Sequence, residues 1–377
     1  MTGHDVSDTA ELEGDLRDGL RRLLGDHCSA ATLAAWCDQG RRTAPELWRE
    51  LALMGIPGLP VGEEHGGSAG SWALAAAAQE ELGRRLAPAP TVSGFAVQAA
   101  LAAAGTHTDA LAALGAGTAR AAVAAGRTDD GWIPAPDLVA TEHAGGWTLD
   151  GTVPVVAEAA DATLLLAAAG DRLFLVDAAG VRLEPVDALD PTRPLSRAVL
   201  TAVEADPVGD PGQAPRLLAA AQRAALVALA ADAVGVAAEA ADLAVGYART
   251  RRQFGRLIGS FQAVSHRCAD MAVAVVSARA LVAAAAEALD GPPDADTDIA
   301  VALAASDALD TAVAVAAGCI QVHGGIGFTW ELPAHRYLRR AKAAQSLIAQ
   351  PDRLRERAAR ALLDTAPPTS VAAGSRP

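Results

Sequence analysis

The sequence predicts a mostly α protein with a central β domain (α+β), and three observations carry that reading. Apolar residues recur at helical spacing on both sides of a middle stretch whose period shortens to that of strands. Alanine carries much of the 51% hydrophobic fraction while aromatics make up 3%, a balance that suits helices packed closely through small side chains. The 377 residues suffice for two or three domains with a sizeable core.

Helical spacing runs from Leu12 to about Gly115, with breaks at Gly25, Gly40, residues 55–70 and Pro88–Pro90. Within this stretch a helix opens at Glu46-Leu47-Trp48 and ends at Gly55. A polar turn closes on Gly66-Gly67, and the next helix ends in Glu80-Glu81-Leu82-Gly83. Gly55 and Gly83 stand where C-terminal caps are expected. Between about Thr118 and Val208 the segments are short and bounded by Gly, Pro and Asp. Residues 146–151, 163–168 and 172–176 read as strands of a small β-barrel-like domain.

Helical spacing returns at Pro215, which suits a first turn, and continues to about Thr250. Ser260 is the expected N-cap of a second long helix to Leu289, and residues 290–296 form a linker. A third helix reaches Val322, and shorter ones follow, predicting an antiparallel four-helix bundle. The expected divisions are an N-terminal helical domain (1–117), a middle β domain (118–209), a C-terminal bundle (210–365) and a flexible tail (366–377).

A net charge of −14 argues against nucleic-acid binding, because a face for phosphates needs a basic excess. The N-terminus lacks a basic flank followed by an apolar core. The apolar run at residues 224–245 is interrupted by Asp232, Glu239 and Asp242, so neither a signal peptide nor a membrane span is expected. The expectation is a soluble cytoplasmic protein. Cys28, Cys37, Cys268 and Cys319 lie far apart without CxxC spacing, which suggests buried thiols and no metal site.

Two segments of the last third stand out. Arg251-Arg252-Gln253-Phe254-Gly255 follows a long helix, where a guanidinium can fork onto a pyrophosphate or simply complement the helix dipole. Gln321-Val322-His323-Gly324-Gly325 follows another, where glycines admit close backbone approach or make a tight turn. His323 and His335 titrate near neutrality, but no ligand-spaced partners accompany them. Glu331, before Pro333, reads as a dipole or capping carboxylate.

The order of domains, with motifs at these positions, resembles the acyl-CoA dehydrogenase family over nearly the whole chain. The resemblance rests on Trp48, Gly55 to Gly67 (GIPGLPVGEEHGG), Glu80 to Arg84 (EELGR), Tyr247 to Gly255 (YARTRRQFG), Ser260 to Val264 (SFQAV), and Gln321 to Phe328 (QVHGGIGF) with Glu331. It implies FAD as cofactor, with Arg251, Arg252, Gln253 and Phe254 reaching the flavin of a neighbouring subunit. Gln262, Gln321, Val322, His323, Gly324 and Gly325 are implied on its adenosine side.

It also implies an acyl thioester substrate, on CoA or an acyl-carrier, with electrons passing to an electron-transfer flavoprotein. A glutamate of the family removes the α-proton while the β-carbon gives hydride to the flavin. The two family positions for that glutamate fall at Ile348 and Ala225, and neither residue takes a proton. Asp232 and Asp352 are nearby carboxylates that a relocated base could use, or ordinary solvent-facing and capping groups.

The flavin-covering segment has no good match in residues 123–130, and Val155-Val156-Ala157 replaces the strand expected against the ring. Neighbour-facing residues are kept and own-ring residues are not. The pattern resembles the non-catalytic-type subunit of a heteromeric bacterial dehydrogenase, a heterotetramer with a homologous partner. A homotetrameric enzyme and a non-redox scaffold that binds acyl thioesters are the alternatives.

Overall fold

The computed structural model describes residues 3–40, 44–68 and 71–365; the expected tail, 366–377, lies outside them. Six helices come first: α1 (Gly3–His27), α2 (Ala30–Asp38), α3 (Pro45–Leu53), α4 (Trp72–Arg84), α5 (Thr91–Ala104) and α6 (Thr108–Gly115). Gly25 lies inside α1 and does not interrupt it. Gly55 adopts φ 74° just past α3, as its expected capping role requires. Gly83 is instead inside α4, so its role is not that of a cap. The indole Nε1 of Trp48 donates to Gly117 O at 2.8 Å and ties α3 to the entry of the β domain.

The middle of the chain is a seven-stranded sheet of order β1-β6-β7-β9-β5-β4, with β8 also paired to β9. Its strands are β1 (Ala121–Ala124), β4 (Leu138–His143), β5 (Gly146–Ala157), β6 (Leu164–Ala169), β7 (Arg172–Asp177), β8 (Arg182–Val186) and β9 (Leu195–Val208). The β1–β6 pair is parallel and the others are antiparallel. Register shifts between β5 and β9 bend these two long strands and curl the sheet. A separate hairpin, β2 (Gly126–Thr128) with β3 (Gly131–Ile133), projects from β1.

Five helices complete the fold: α7 (Ala214–Thr250), α8 (Gln262–Leu289), α9 (Ala295–His323), α10 (Ala334–Ala344) and α11 (Pro351–Thr365). Pro215 occupies the first turn of α7. Ser260 does not cap α8: the helix starts after Phe261, and the Ser260 hydroxyl donates to Leu257 O at 2.7 Å. A 29-residue α9 and a 28-residue α8 flank the 37-residue α7, which is buried along most of its length.

One apolar core runs through the N-terminal helices and the bundle together, while the sheet has a second core around Leu149, Leu165 and Phe174. Helix α7 is the shared element. It meets α4 at two glycines: a Cβ on Gly235 would land on the backbone carbonyl of Glu80, and one on Gly83 on that of Asp232. The helix backbones touch here, which is why both positions are glycine.

Contrary to the sequence reading, three helical segments are long and apolar enough to cross a membrane by length and composition: Ala214–Thr250, Gln262–Leu289 and Ala295–Phe328. The charges of α7 are spaced widely enough to leave an 18-residue apolar window. That window is 94% buried inside the protein, so its apolar character is accounted for by packing.

The α4–α7 contact generates a test. Gly235→Ala should lower stability by about 1–3 kcal/mol, the cost of overpacking, read as a lower midpoint in urea unfolding. An unchanged midpoint would show that the two helices separate without penalty.

Candidate functional site

The end of α7 and the end of α9 lie side by side, because Tyr247 stacks on His323 with ring centroids 4.4 Å apart. One turn after Tyr247 the chain leaves α7 at Arg251 and forms a hairpin of β10 (Arg252–Gln253) and β11 (Arg256–Leu257). Phe254 and Gly255 make its two-residue turn with φ of 52° and 77°, as the tight turn requires. The Ile258 N–H donates to Arg251 O at 2.9 Å and closes the hairpin against the helix end. Helix α8 then begins at Gln262.

Arg251, Arg252, Gln253, Phe254 and Gln262 are all exposed here, Phe254 by 91%. Gln321, Gly324 and Gly325 are exposed at the adjoining end of α9. Val322 and His323 are different: both are buried, and His323 Nδ1 is 2.8 Å from Cys319 O. Their side chains belong to the bundle and are not presented at the surface, so of these two residues only the backbone is left to meet a cofactor. Gly324 takes φ 66°, and a Cβ at Gly324 or Gly325 would meet nothing of this chain within 4 Å.

The segments the resemblance assigns to a subunit's own flavin ring also converge. Val123 of β1, Ala125 just after it, Val155 and Ala157 of β5, and Ile348 line one pocket with Arg127 and Trp132. Its volume is about 20 Å³, room for roughly one water. A three-ring flavin does not fit.

The β2–β3 hairpin holds the pocket shut. Arg127 Nη1 donates to the carbonyls of Ser346 and Leu347. Gln350 donates from its side chain to Asp129 Oδ1 at 2.7 Å and from its backbone to Asp129 O at 2.9 Å. Gln222 of α7 accepts the Trp132 N–H at 2.8 Å. Ile348 is 1% exposed, and Ala225 is fully buried in α7.

Asp232 is neither solvent-facing nor a cap. Its carboxylate, 0% exposed, takes a two-pronged contact from Arg340 of α10, at 2.6 and 3.0 Å. Arg193, two residues before β9, places Nη2 3.2 Å from Asp232 Oδ2 and donates from Nε to Glu158 Oε1 at 3.2 Å. Glu158 accepts the Ser93 N–H of α5 at 2.9 Å, and Gln79 of α4 reaches Asp232 at 3.3 Å.

Burial pushes the Asp232 carboxyl up, but Arg340 and Arg193 outweigh it and hold it down at about 2. It is a structural anion and a poor base near neutrality. Asp352 is exposed in the first turn of α11, suited to the dipole, and does not line the closed pocket.

Glu331 is exposed and α10 follows Pro333 without a side-chain cap, so it does not cap that helix. His335 Nδ1 lies 3.0 Å from Leu332 O, and burial and Arg336 hold its pKa below the ordinary value.

Sequence reasoning missed Arg127, Arg193 and Arg340. Asp190-Pro191-Thr192 did carry a turn signal: Asp190 Oδ1 accepts the Thr192 N–H at 2.9 Å, which presents Arg193 inward.

Residues 222–363 match the acyl-CoA dehydrogenase C-terminal domain and residues 10–113 the acyl-CoA dehydrogenase N-terminal domain. The acyl-CoA dehydrogenase IpdE2 of Mycobacterium tuberculosis is 36% identical over 339 residues, covering 89% of this chain and 92% of that protein. A structure of a variant of the Tcur3481-Tcur3483 steroid ACAD superposes with a TM-score of 0.82 at 31% identity, covering 94% of this chain and 98% of that one. The ChsE4-ChsE5 complex from Mycobacterium tuberculosis gives 0.83 at 27% identity, with the same coverage of 94% and 98%.

Replacing Asp232 by Asn should leave Arg340 and Arg193 buried beside a neutral group and cost about 3–5 kcal/mol of stability, measured by denaturant unfolding. Its folded pKa is depressed from about 3.9, so the stability it contributes is present above that value and is lost as pH falls toward about 2. The Asn variant should lack this part of the acid-unfolding limb. A variant of native stability would contradict the structural assignment.

Proposed function

The chain belongs to the acyl-CoA dehydrogenase family, and from that membership we propose that it is the non-catalytic-type subunit of a heterotetrameric enzyme. In this reading it completes the FAD site of a homologous acyl-CoA dehydrogenase partner and removes no substrate proton itself. The observation that carries the reading is the contrast between its two half-sites. The ring pocket holds about 20 Å³ and has Ile348 in its wall, whereas Arg251, Arg252, Gln253, Gln262 and Gln321 stand exposed at one end of the bundle.

FAD, when bound, supplies hydride acceptance from the β-carbon of an acyl thioester. The part of this chain is to bind and orient. Arg251 and Arg252 offer forked donors to a pyrophosphate, and Gln253, Gln262 and Gln321 offer amide donors and acceptors. Gly324 and Gly325 leave backbone bare where no packing within the chain requires it, which favours close approach by a ligand or a second subunit.

The relatives support the heteromeric part of the proposal: one is named as a complex and another as a steroid ACAD. A bulky apolar acyl group on CoA or an acyl-carrier is the proposed substrate class, with an electron-transfer flavoprotein as the acceptor. The ion-paired state of Asp232 and the exposure of Asp352 argue against a homotetramer with a relocated base.

The test is to produce this chain together with its homologous partner and measure retained flavin by absorbance. Arg251→Ala should weaken flavin retention by roughly tenfold or more, as for a lost charge-assisted contact, with assembly mass unchanged. Full flavin in the variant assembly would count against the proposal.

A further inference from the structure

Helix α8 leaves much of its apolar surface uncovered. Its apolar 18-residue window is 28% buried, against 94% for that of α7. One face is accounted for by the bundle: Met271, Val275, Ala278 and Val282 are buried at helical spacing. On the other side Val273 is 69% exposed, Val276 62% and Leu281 38%. A contiguous apolar face of this kind marks an interaction surface.

Two features of that face say what covers it. The first is spacing. Asp270, Val273, Ser277, Ala280, Ala284 and Glu287 are all exposed and recur at alternating steps of three and four residues, the period of a seam between two helices. The residues at the middle of the seam are small, which lets two helix axes approach closely.

The second is charge. From residue 271 to 286 the single charge is Arg279, whose Nη2 and Nε donate to Glu80 Oε1 at 2.8 and 3.0 Å. Exposed Arg267 precedes this stretch and exposed Glu287 follows it. Among the described residues neither is ion-paired within the chain. Ser277 lies midway between them, about 15 Å from each along the helix. A second α8 laid antiparallel about Ser277 therefore sets Arg267 of each helix beside Glu287 of the other. In the same register Val273 faces Leu281 and Asp270 faces Ala284. A parallel helix would instead set like charges together at both ends.

We infer that the outer face of α8 binds a second copy of this chain, helix antiparallel to helix about Ser277. Such a two-fold contact is self-complementary, so each ion pair forms twice. The inference does not rest on the subunit reading, since it uses neither the ring pocket nor the Arg251 hairpin.

The experiment is sedimentation velocity of the full chain alone over a micromolar concentration series, where a monomer–dimer equilibrium is expected. Ser277→Glu sets two carboxylates on the axis and should yield a monomer that still unfolds cooperatively; Val273→Glu serves the same end if that variant unfolds. Arg267→Glu and Glu287→Arg should each weaken the dimer by about tenfold at low salt, and the double variant should restore it. A chain that is monomeric throughout, whether it stays in solution or floats with phosphatidylcholine vesicles, would overturn the inference. So would a dimer indifferent to Ser277→Glu, or a double variant no tighter than the single ones. Each of these results leaves the subunit reading standing, which flavin retention in the mixed assembly tests separately.

Discussion

Two arginines buried among carboxylates fix how the parts of this protein meet. Arg340 comes from α10, Asp232 from α7, and Arg193, Glu158 and Asp190 from the β region; Ser93 and Gln79 bring in α5 and α4. Desolvating these ions is costly, and separating any of them from its partner would leave an uncompensated buried charge. A shift of the sheet against the bundle would strand a charge in the interior, so the network allows little sliding. Glycine contacts between α4 and α7 add a steric constraint at the same level of the bundle.

With α7 held in this way, its two neighbourhoods acquire opposite characters. Beside Gln222 the β2–β3 hairpin is pulled onto residues 346–350 by several hydrogen bonds, and the pocket behind it is reduced to about 20 Å³. At the C-terminus of α7 the tight Phe254-Gly255 turn points arginine and amide side chains outward, with few bonds to their own chain. A surface that stays polar, open and partly aromatic at 91% exposure of Phe254 is suited to contact with another molecule.

Local pattern revealed much of this. Helical spacing and alanine content gave away the helices, turn residues the strands, and the motif around Arg251 the exposed end of the bundle. What sequence pattern could not reveal were pairings across long separations. Asp232 and Arg340 are 108 positions apart, and nothing local distinguishes Asp232 from a surface acid on an alanine-rich helix. Gly83 looked like a cap because its true constraint, the carbonyl of Asp232, belongs to a distant helix.

The central claim is the proposal that this chain keeps no open flavin-ring site of its own and offers the exposed Arg251 end of its bundle to a partner's flavin. Titrating the purified chain alone with FAD, and following quenching of flavin fluorescence, tests it most directly. The account predicts no saturable binding. Binding at one FAD per chain would contradict it and would require the hairpin at residues 126–133 to open.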